Sequence, residues 1–175
     1  MPDGTTVDAA APQDRTSSAP PSEVAPFMAF HRSIVLHTQC SLQFIDLTQR
    51  VTEIVMASGI AEGIVNVQTR HTTTAIIVNE NEPLLLEDMK ATLNRLAAPS
   101  LAYQHNNFAI RTVNMVPGEV ANGHAHCQAL CLRAAETLNL VAGKLQVGRW
   151  QRIFFIELDH ARERSVSVMV MGRAV

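Results

Sequence analysis

Apolar and polar positions change period several times along this chain, and each change marks an element. Residues 1–26 have no period: Ala, Pro, Ser, Thr and Asp dominate, with one arginine, Arg15. Such a segment cannot bury enough apolar surface to offset the entropy of ordering it, so a disordered N-terminal tail is expected there and a single domain over residues 27–175. From Phe27 to Leu36, the apolar residues Phe30, Ile34 and Leu36 with β-branched Val35 predict a strand. Asp46-Leu47-Thr48-Gln49 has the residue types of a capping box, Leu47, Val51, Ile54 and Val55 recur at helical spacing, and Gly59 stands where a helix terminator belongs. A helix from Leu47 to Ser58 follows from that pattern. The stretch from Gly63 to Thr69 alternates, and that from Thr72 to Asn79 is dense in β-branched residues. Two strands are expected, either paired or run on as one bent strand across Arg70-His71.

Glu82-Pro83 opens a second helix, since proline suits the first helical position, and Leu84, Leu85, Met89, Leu93 and Leu96 supply its buried face up to Pro99. Residues 100–107 read as a polar, irregular loop, Phe108 to Val113 as a strand, and Pro117-Gly118 as a turn. A third helix is expected to start at Asn122, a favoured N-cap residue, and to run through Leu130, Cys131, Ala134 and Leu138 to Asn139. Leu145 to Leu158 and Ser165 to Met171 are apolar and β-rich, and they read as a long terminal β-hairpin closed by residues 159–164. Most connections are shorter than the roughly twelve residues that a parallel crossover needs. The pattern therefore predicts an α+β fold with about three helices on a mainly antiparallel sheet.

Composition narrows the function. A chain of 175 residues with 47% hydrophobic content can build one core. Its formal net charge of -2 offers no field to hold a polyanion, so nucleic acid is not an expected partner. The three cysteines, Cys40, Cys127 and Cys131, form no CxxC and no even set, and Cys127 and Cys131 at helical spacing read as core residues. No apolar run reaches the ~20 residues of a membrane span, and no basic-then-apolar leader opens the chain, so a cytoplasmic protein off the membrane is expected.

Chemistry concentrates in a few places. Asn122-Gly123-His124-Ala125-His126 puts two imidazoles two residues apart beside a helix start. In extended backbone they would point to one side and could share a metal ion or an acidic ligand, and the unpaired N–H groups of the helix start would favour an anion there. The alternative is that Asn122 only caps the helix while both histidines face solvent. His71, Glu80, Asp88, His105 and Glu157 add imidazole and carboxylate groups, a mixed set that suits zinc or a similar divalent ion if folding brings them together. Glu157 lies in an apolar strand and must have a partner, either a metal or an arginine. Arg162 and Arg164 alternate in phase and could grip one carboxylate or phosphate, with Asn122 and Gln151 as further polar contacts. His31, His37 and His160 have no companion pattern and read as surface residues, Trp150 reads as core or subunit-interface filler, and no dinucleotide, P-loop, esterase or metalloprotease signature is present.

In order along the chain, His71-Thr72-Thr73-Thr74-Ala75, then Asn79-Glu80-Asn81-Glu82-Pro83 with Asp88, then Asn122-x-His124-Ala125-His126, then Gly148-x-Trp150-Gln151, then Glu157-x-Asp159-x-x-Arg162-x-Arg164 resemble the YjbQ family, also labelled secondary thiamine-phosphate synthase. The family pattern reads HSTAA, NE, NAHAH, GxWQ and ExDGPRxR. This chain departs from it at Thr72, Thr74, Gly123 and His160-Ala161. The resemblance implies a β-sandwich-like α+β domain that assembles as a homotrimer, with a polar pocket for a phosphorylated small molecule and a divalent metal such as zinc or magnesium. The implied reaction joins a hydroxymethylpyrimidine diphosphate to a thiazole phosphate and releases pyrophosphate. On that reading His71, Glu80, Asp88 and Glu157 are the catalytic candidates, Asn122, Gln151, Arg162 and Arg164 hold the anion, and His105, His124 and His126 hold the metal. A non-catalytic metal- or metabolite-binding trimer and a metal-dependent hydrolase are the alternatives.

Overall fold

The computed structural model describes residues 25–174, so all but the last two residues of the expected disordered tail lie outside the described residues. Within them the chain runs β1 (Phe27–His37), β2 (Gln43–Asp46), α1 (Thr48–Ser58), β3 (Glu62–Thr69), β4 (Thr74–Glu80), α2 (Pro83–Leu96), a 3₁₀ turn (Gln104–Asn106), α3 (Gly123–Leu130), β5 (Ala135–Val141), β6 (Lys144–Leu145), β7 (Gln151–Glu157) and β8 (Glu163–Arg173). Two antiparallel sheets result, one of order β1-β8-β3-β5-β6 and one of order β2-β7-β4. This is the expected α+β class with mainly antiparallel sheet.

The two sheets face each other. Ile34, Leu36, Val65, Val67, Leu140, Val166, Val168 and Val170 from the large sheet meet Ile76, Ile153 and Phe155 from the small one, with Val51 and Val55 of α1 closing the side. On the far face of the small sheet, Ala75, Phe154 and Ile156 pack under Leu93 of α2 and Ala125 of α3. Strand β7 is thus apolar on both faces, which accounts for its unbroken Ile153-Phe154-Phe155-Ile156 run. Three local signals are realised in α1 and α2. Gly59 ends α1 in the left-handed region at φ 67°. The Glu82 carboxylate accepts the N–H groups of Leu84 (3.0 Å) and Leu85 (2.7 Å) at the start of α2, with Pro83 at its first position. At the other end of α2, the buried Gln128 side chain of α3 donates to the carbonyls of Leu93 (3.3 Å) and Ala97 (3.1 Å) and so fixes α3 against α2.

Several expectations are corrected. The third helix stops at Leu130, and Ala135–Val141 is a strand, because pairing with β3 buries Leu138 and Leu140 against the large sheet's core. Cys127 and Cys131 are exposed, since α3 turns Ala125 and Gln128 inward instead. Residues 108–113 form no strand. The terminal apolar segments are not a hairpin: β7 lies between β2 and β4, and β8 between β1 and β3, so residues 158–162 carry the chain from one sheet to the other. Likewise β3 and β4 neither pair nor run on; residues 70–73 are a second crossing. The expected capping box does not form, because Asp46 accepts the Thr48 N–H at 2.8 Å while Gln49 bonds Glu53.

The large sheet contains one point of unusual closeness. Gly63 of β3 faces Gly172 of β8, and a Cβ on either would collide with the other strand's backbone. Gly63→Ala is expected to force these strands apart and lower the unfolding free energy by about 3 kcal/mol. Urea unfolding monitored by far-ultraviolet circular dichroism measures this, and an unchanged midpoint would show that the strands have room to shift.

Candidate functional site

Where β7 passes into β8, the chain buries an ion pair. Glu157 is 0% exposed and Arg164 is 4% exposed. The guanidinium grips the carboxylate with two bonds, Nε to Oε2 and Nη2 to Oε1, both 2.6 Å. Such a pair survives desolvation only if its remaining hydrogen-bonding capacity is used. It is: Oε1 accepts the Asp159 N–H (3.0 Å), Oε2 accepts the Thr38 hydroxyl (3.0 Å), and Arg164 Nη2 donates to Thr73 (3.1 Å). Of the two partners expected for Glu157, a metal or an arginine, the structure shows the arginine. Its consequence is that Glu157 and Arg164 neutralise each other out of reach of a ligand, so Arg162 and Arg164 do not act on one anion.

This pair holds the residues after it in place. Asp159 Oδ2 accepts from Asn122 Nδ2 (2.9 Å) and Arg162 Nη2 (2.7 Å), and Oδ1 lies 2.9 Å from His160 Nδ1. Burial alone would raise the Asp159 carboxyl, but those bonds and the Arg162 charge outweigh it and hold the group below its ordinary range. Asn122 therefore does not cap α3 with its side chain; Asn106 does, accepting the Gly123 N–H at 2.9 Å. Beyond Asn122 lies a cleft of about 470 Å³ whose polar wall includes Thr72, His105, Asn122, His126, His160 and Arg162. Its outer rim is the loop of residues 107–121, stapled by Arg111, which bonds both oxygens of Glu119 (2.6 and 2.7 Å) and the carbonyls of His105 and Asn114 (each 3.0 Å). The Arg111 bond holds the Glu119 carboxyl below its ordinary range. His105 and His126 meet edge to face at 4.6 Å between ring centres. Burial, then the neighbouring His105, lowers the His126 pKa, so its imidazole is neutral at pH 7.

Folding thus brings His105, His126, Asn122 and Arg162 together and leaves the other candidates elsewhere. Residues 123–130 are helical, so His124 and His126 diverge; His124 lines a separate shallow cavity with Cys40 and tilts against Tyr103. His71 stands behind the cleft, where its Nε2 accepts the Ser165 N–H at 3.1 Å. Asp88 borders an apolar cavity under α2. Glu80 and Gln151 lie at the opposite end of β4 and β7, roughly 20 Å from Thr74 and Glu157 at ~3.4 Å per residue. There Gln151 Oε1 accepts the Gly148 N–H at 2.8 Å. Thr38, Arg111 and Glu119 join this region with no signal in the sequence; Thr73 lies in the His71–Ala75 motif, and the ExDxxRxR spacing pointed near His160, itself read as a surface residue.

The donor set of one chain does not fit a zinc or magnesium centre. Among the described residues no three His, Cys, Asp or Glu side chains come together as a metal site. His105 and His126 lack a third ligand, because the carboxylate beside His105, Glu119, is held by Arg111, whose cation also lies 3.2 Å from His105 Nε2. Nor is any helix among the described residues long and apolar enough to cross a membrane.

The family model described as UPF0047 protein YjbQ-like matches residues 32–173. The chain belongs to this family. A UPF0047 protein of Methanothermobacter thermautotrophicus is 35% identical over 82% of this chain and 93% of its own length. The UPF0047 protein YugU of Bacillus subtilis is 28% identical over 74% and 90%. The crystal structure of a protein of unknown function from Sulfolobus solfataricus superposes with a TM-score of 0.76 at 33% identity, over 85% of this chain and all of that one. A YjbQ/UPF0047 structure from Clostridium acetobutylicum gives 0.70 at 31% identity, over 79% and 98%. The YjbQ pattern's Ala is Gly123 here, and the structure supplies a reason. A Cβ at Gly123 would stand 2.8 Å from Cγ of Tyr103, which crosses the start of α3 and donates its hydroxyl to the Ala98 carbonyl at 2.8 Å.

Two outcomes follow for stability. Arg164→Met leaves the Glu157 carboxylate buried and unpaired and is expected to cost about 3–5 kcal/mol, while adding Glu157→Gln should recover much of it. A double-mutant cycle in urea measures the coupling, and additive losses would contradict it. His71 has its pKa lowered from 6.5 by burial and then by the Arg164 charge. The unfolded chain therefore binds the proton first, and this part of the stability, complete above pH 6.5, is lost as pH falls below it toward the folded-state value. Melting temperatures between pH 7 and pH 5 should fall less steeply for His71→Gln than for wild type; equal slopes would show that His71 is not the group responsible.

Proposed function

We propose that the cleft beside α3 binds the phosphate end of a phosphorylated small molecule. The observation that carries this reading is the convergence of Arg162 with the imidazoles of His105, His126 and His160 in one cleft of about 470 Å³, a volume that accommodates a diphosphate and part of its organic group. Two cations and two carboxylates balance there, Arg111 with Glu119 and Arg162 with Asp159. An incoming anion therefore finds hydrogen-bond donors but little net charge, and its own charge draws a proton onto His126. Asp159 orients Arg162 and Asn122, His126 supplies or accepts the proton, and the loop of residues 107–121 limits access of water.

The reaction we assign to this arrangement is the secondary thiamine-phosphate synthase reaction that the family resemblance implies, carried out by a homotrimer. In it the donors of the cleft would stabilise the departing pyrophosphate electrostatically. Arg162 is the group we expect to bear most of that charge, with His126 able to protonate it.

Pyrophosphate serves as the probe. Titration calorimetry of wild type should show binding that tightens as pH falls below 6.5, with proton uptake that differs between buffers of different ionisation enthalpy. Arg162→Gln and His126→Ala should each weaken it about tenfold or more, the ~1.5–3 kcal/mol of a hydrogen bond to a charged group. Absence of binding, or binding indifferent to both substitutions, would refute the assignment of the cleft. Binding without condensation of the two thiamine precursors would retain the site and reject the reaction.

A further inference from the structure

We propose that the cleft is half of a composite site, completed by the opposite end of the small sheet in a second copy of this chain. The far end of β4 and β7 carries Glu80, Asn81, Glu82, Trp150 and Arg152 around a cavity of about 240 Å³. Trp150 is 58% exposed there, its indole braced by the Arg149 guanidinium 4.5 Å from the ring centre. A rigid, exposed indole of this kind is the side chain that most often anchors a protein interface. The carboxylates nearby differ in one respect. Glu82 is occupied by the start of α2, and Asp46 by the Thr48 N–H and Asn81, whereas the Glu80 carboxylate makes no hydrogen bond or salt bridge among the described residues.

The cleft is complementary to this end. It presents the imidazoles of His105, His126 and His160 and the Arg162 guanidinium, and its rim exposes Val116 and Val120. A free carboxylate and an exposed indole at one end thus match hydrogen-bond donors and apolar side chains at the other. Within one chain the two ends stand roughly 20 Å apart on a sheet that cannot fold back on itself. They meet only between copies, end against opposite end. That contact is heterologous, so repetition either closes a ring or runs on as a filament, and a ring is the geometry of the homotrimer proposed above, on which this inference rests.

Trp150 is the only tryptophan in the chain, so its fluorescence reports on this surface alone. The experiment is acrylamide quenching with light-scattering mass on the same full-length samples, for wild type, for wild type diluted until it dissociates, and for Val116→Asp. The inference expects Trp150 to be protected in the assembled wild type and to become freely quenchable on dissociation. It expects the same release in Val116→Asp with an unchanged circular dichroism spectrum, although that substitution lies at the far end of the same chain. Only a second copy transmits such an effect. An assembled protein whose Trp150 is quenched as readily as in the dissociated one overturns this inference and leaves the proposed self-association standing; a monomer at every concentration overturns both. Neither readout involves a phosphate ligand, so failure of the cleft's proposed chemistry is told apart.

Discussion

The buried pair of Glu157 and Arg164 is the constraint from which the rest of the arrangement follows. It sits where the chain leaves the small sheet and enters the large one, and it joins five places: β7, β8, the connection between them through the Asp159 N–H, the end of β1 through Thr38, and the crossing before β4 through Thr73. Two ions out of water are stable only at full coordination, so each of these segments has one permitted position relative to the others. Thr38 also donates its backbone N–H to the Arg162 carbonyl at 3.1 Å and accepts the Arg162 N–H on its hydroxyl at 3.0 Å, which carries the constraint into the connection itself. Asp159, His160 and Arg162 are in consequence held on a short, tied segment, although it contains no regular structure.

From that segment the order passes to α3. Asp159 holds Asn122, Asn106 caps the helix that follows, and Gln128 ties the same helix to the end of α2. His126 is therefore positioned from three sides. This explains how a helix of eight residues, too short to be stable alone, can present an imidazole at a defined place. It also explains why His124 does not share the site: the hydrogen bonds that fix α3 as a helix rotate the two histidines to different sides.

What was legible in the sequence divides along physical lines. Local signals are legible wherever they are satisfied locally: the left-handed Gly59, Pro83 after Glu82, the apolar and β-branched residues of β1, and the alternation in β3. The third helix was overextended because Ala134 to Leu138 has adequate helical propensity, and only pairing with β3 makes it a strand. The terminal hairpin was misread because apolar runs report burial and not partner. Ile153-Phe154-Phe155-Ile156 is buried on both faces of a central strand, and nothing local says that its neighbours are β2 and β4. For the site, the demand that Glu157 have a partner was sound, since an unpaired carboxylate in an apolar strand is too costly. The identity of that partner was open, and it removed Arg164 from the ligand-binding set. Arg111 and Glu119 were invisible because their role is to fix a loop with no periodicity.

Three buried polar atoms are left without partners among the described residues: Asn122 Oδ1, Gln128 Oε1 and Arg162 Nε. Each such atom costs about 1–3 kcal/mol, so native structures rarely keep them without cause. Their distribution is the informative point. Asn122 and Gln128 belong to α3 or its first turn, and Arg162 shares the Asp159 carboxylate with Asn122. No side-chain atom of Glu157 or Arg164 is among the three. Unmet polar capacity is therefore confined to the element that carries His126 and to the segment facing it. Asn122 shows how it arises: donation of Nδ2 to Asp159 fixes the amide's orientation and leaves its oxygen facing away from any partner. A fold optimised for stability alone would have removed these groups or reoriented them. Their concentration around α3 supports the proposal of a binding site beside it, as a trade of stability for recognition.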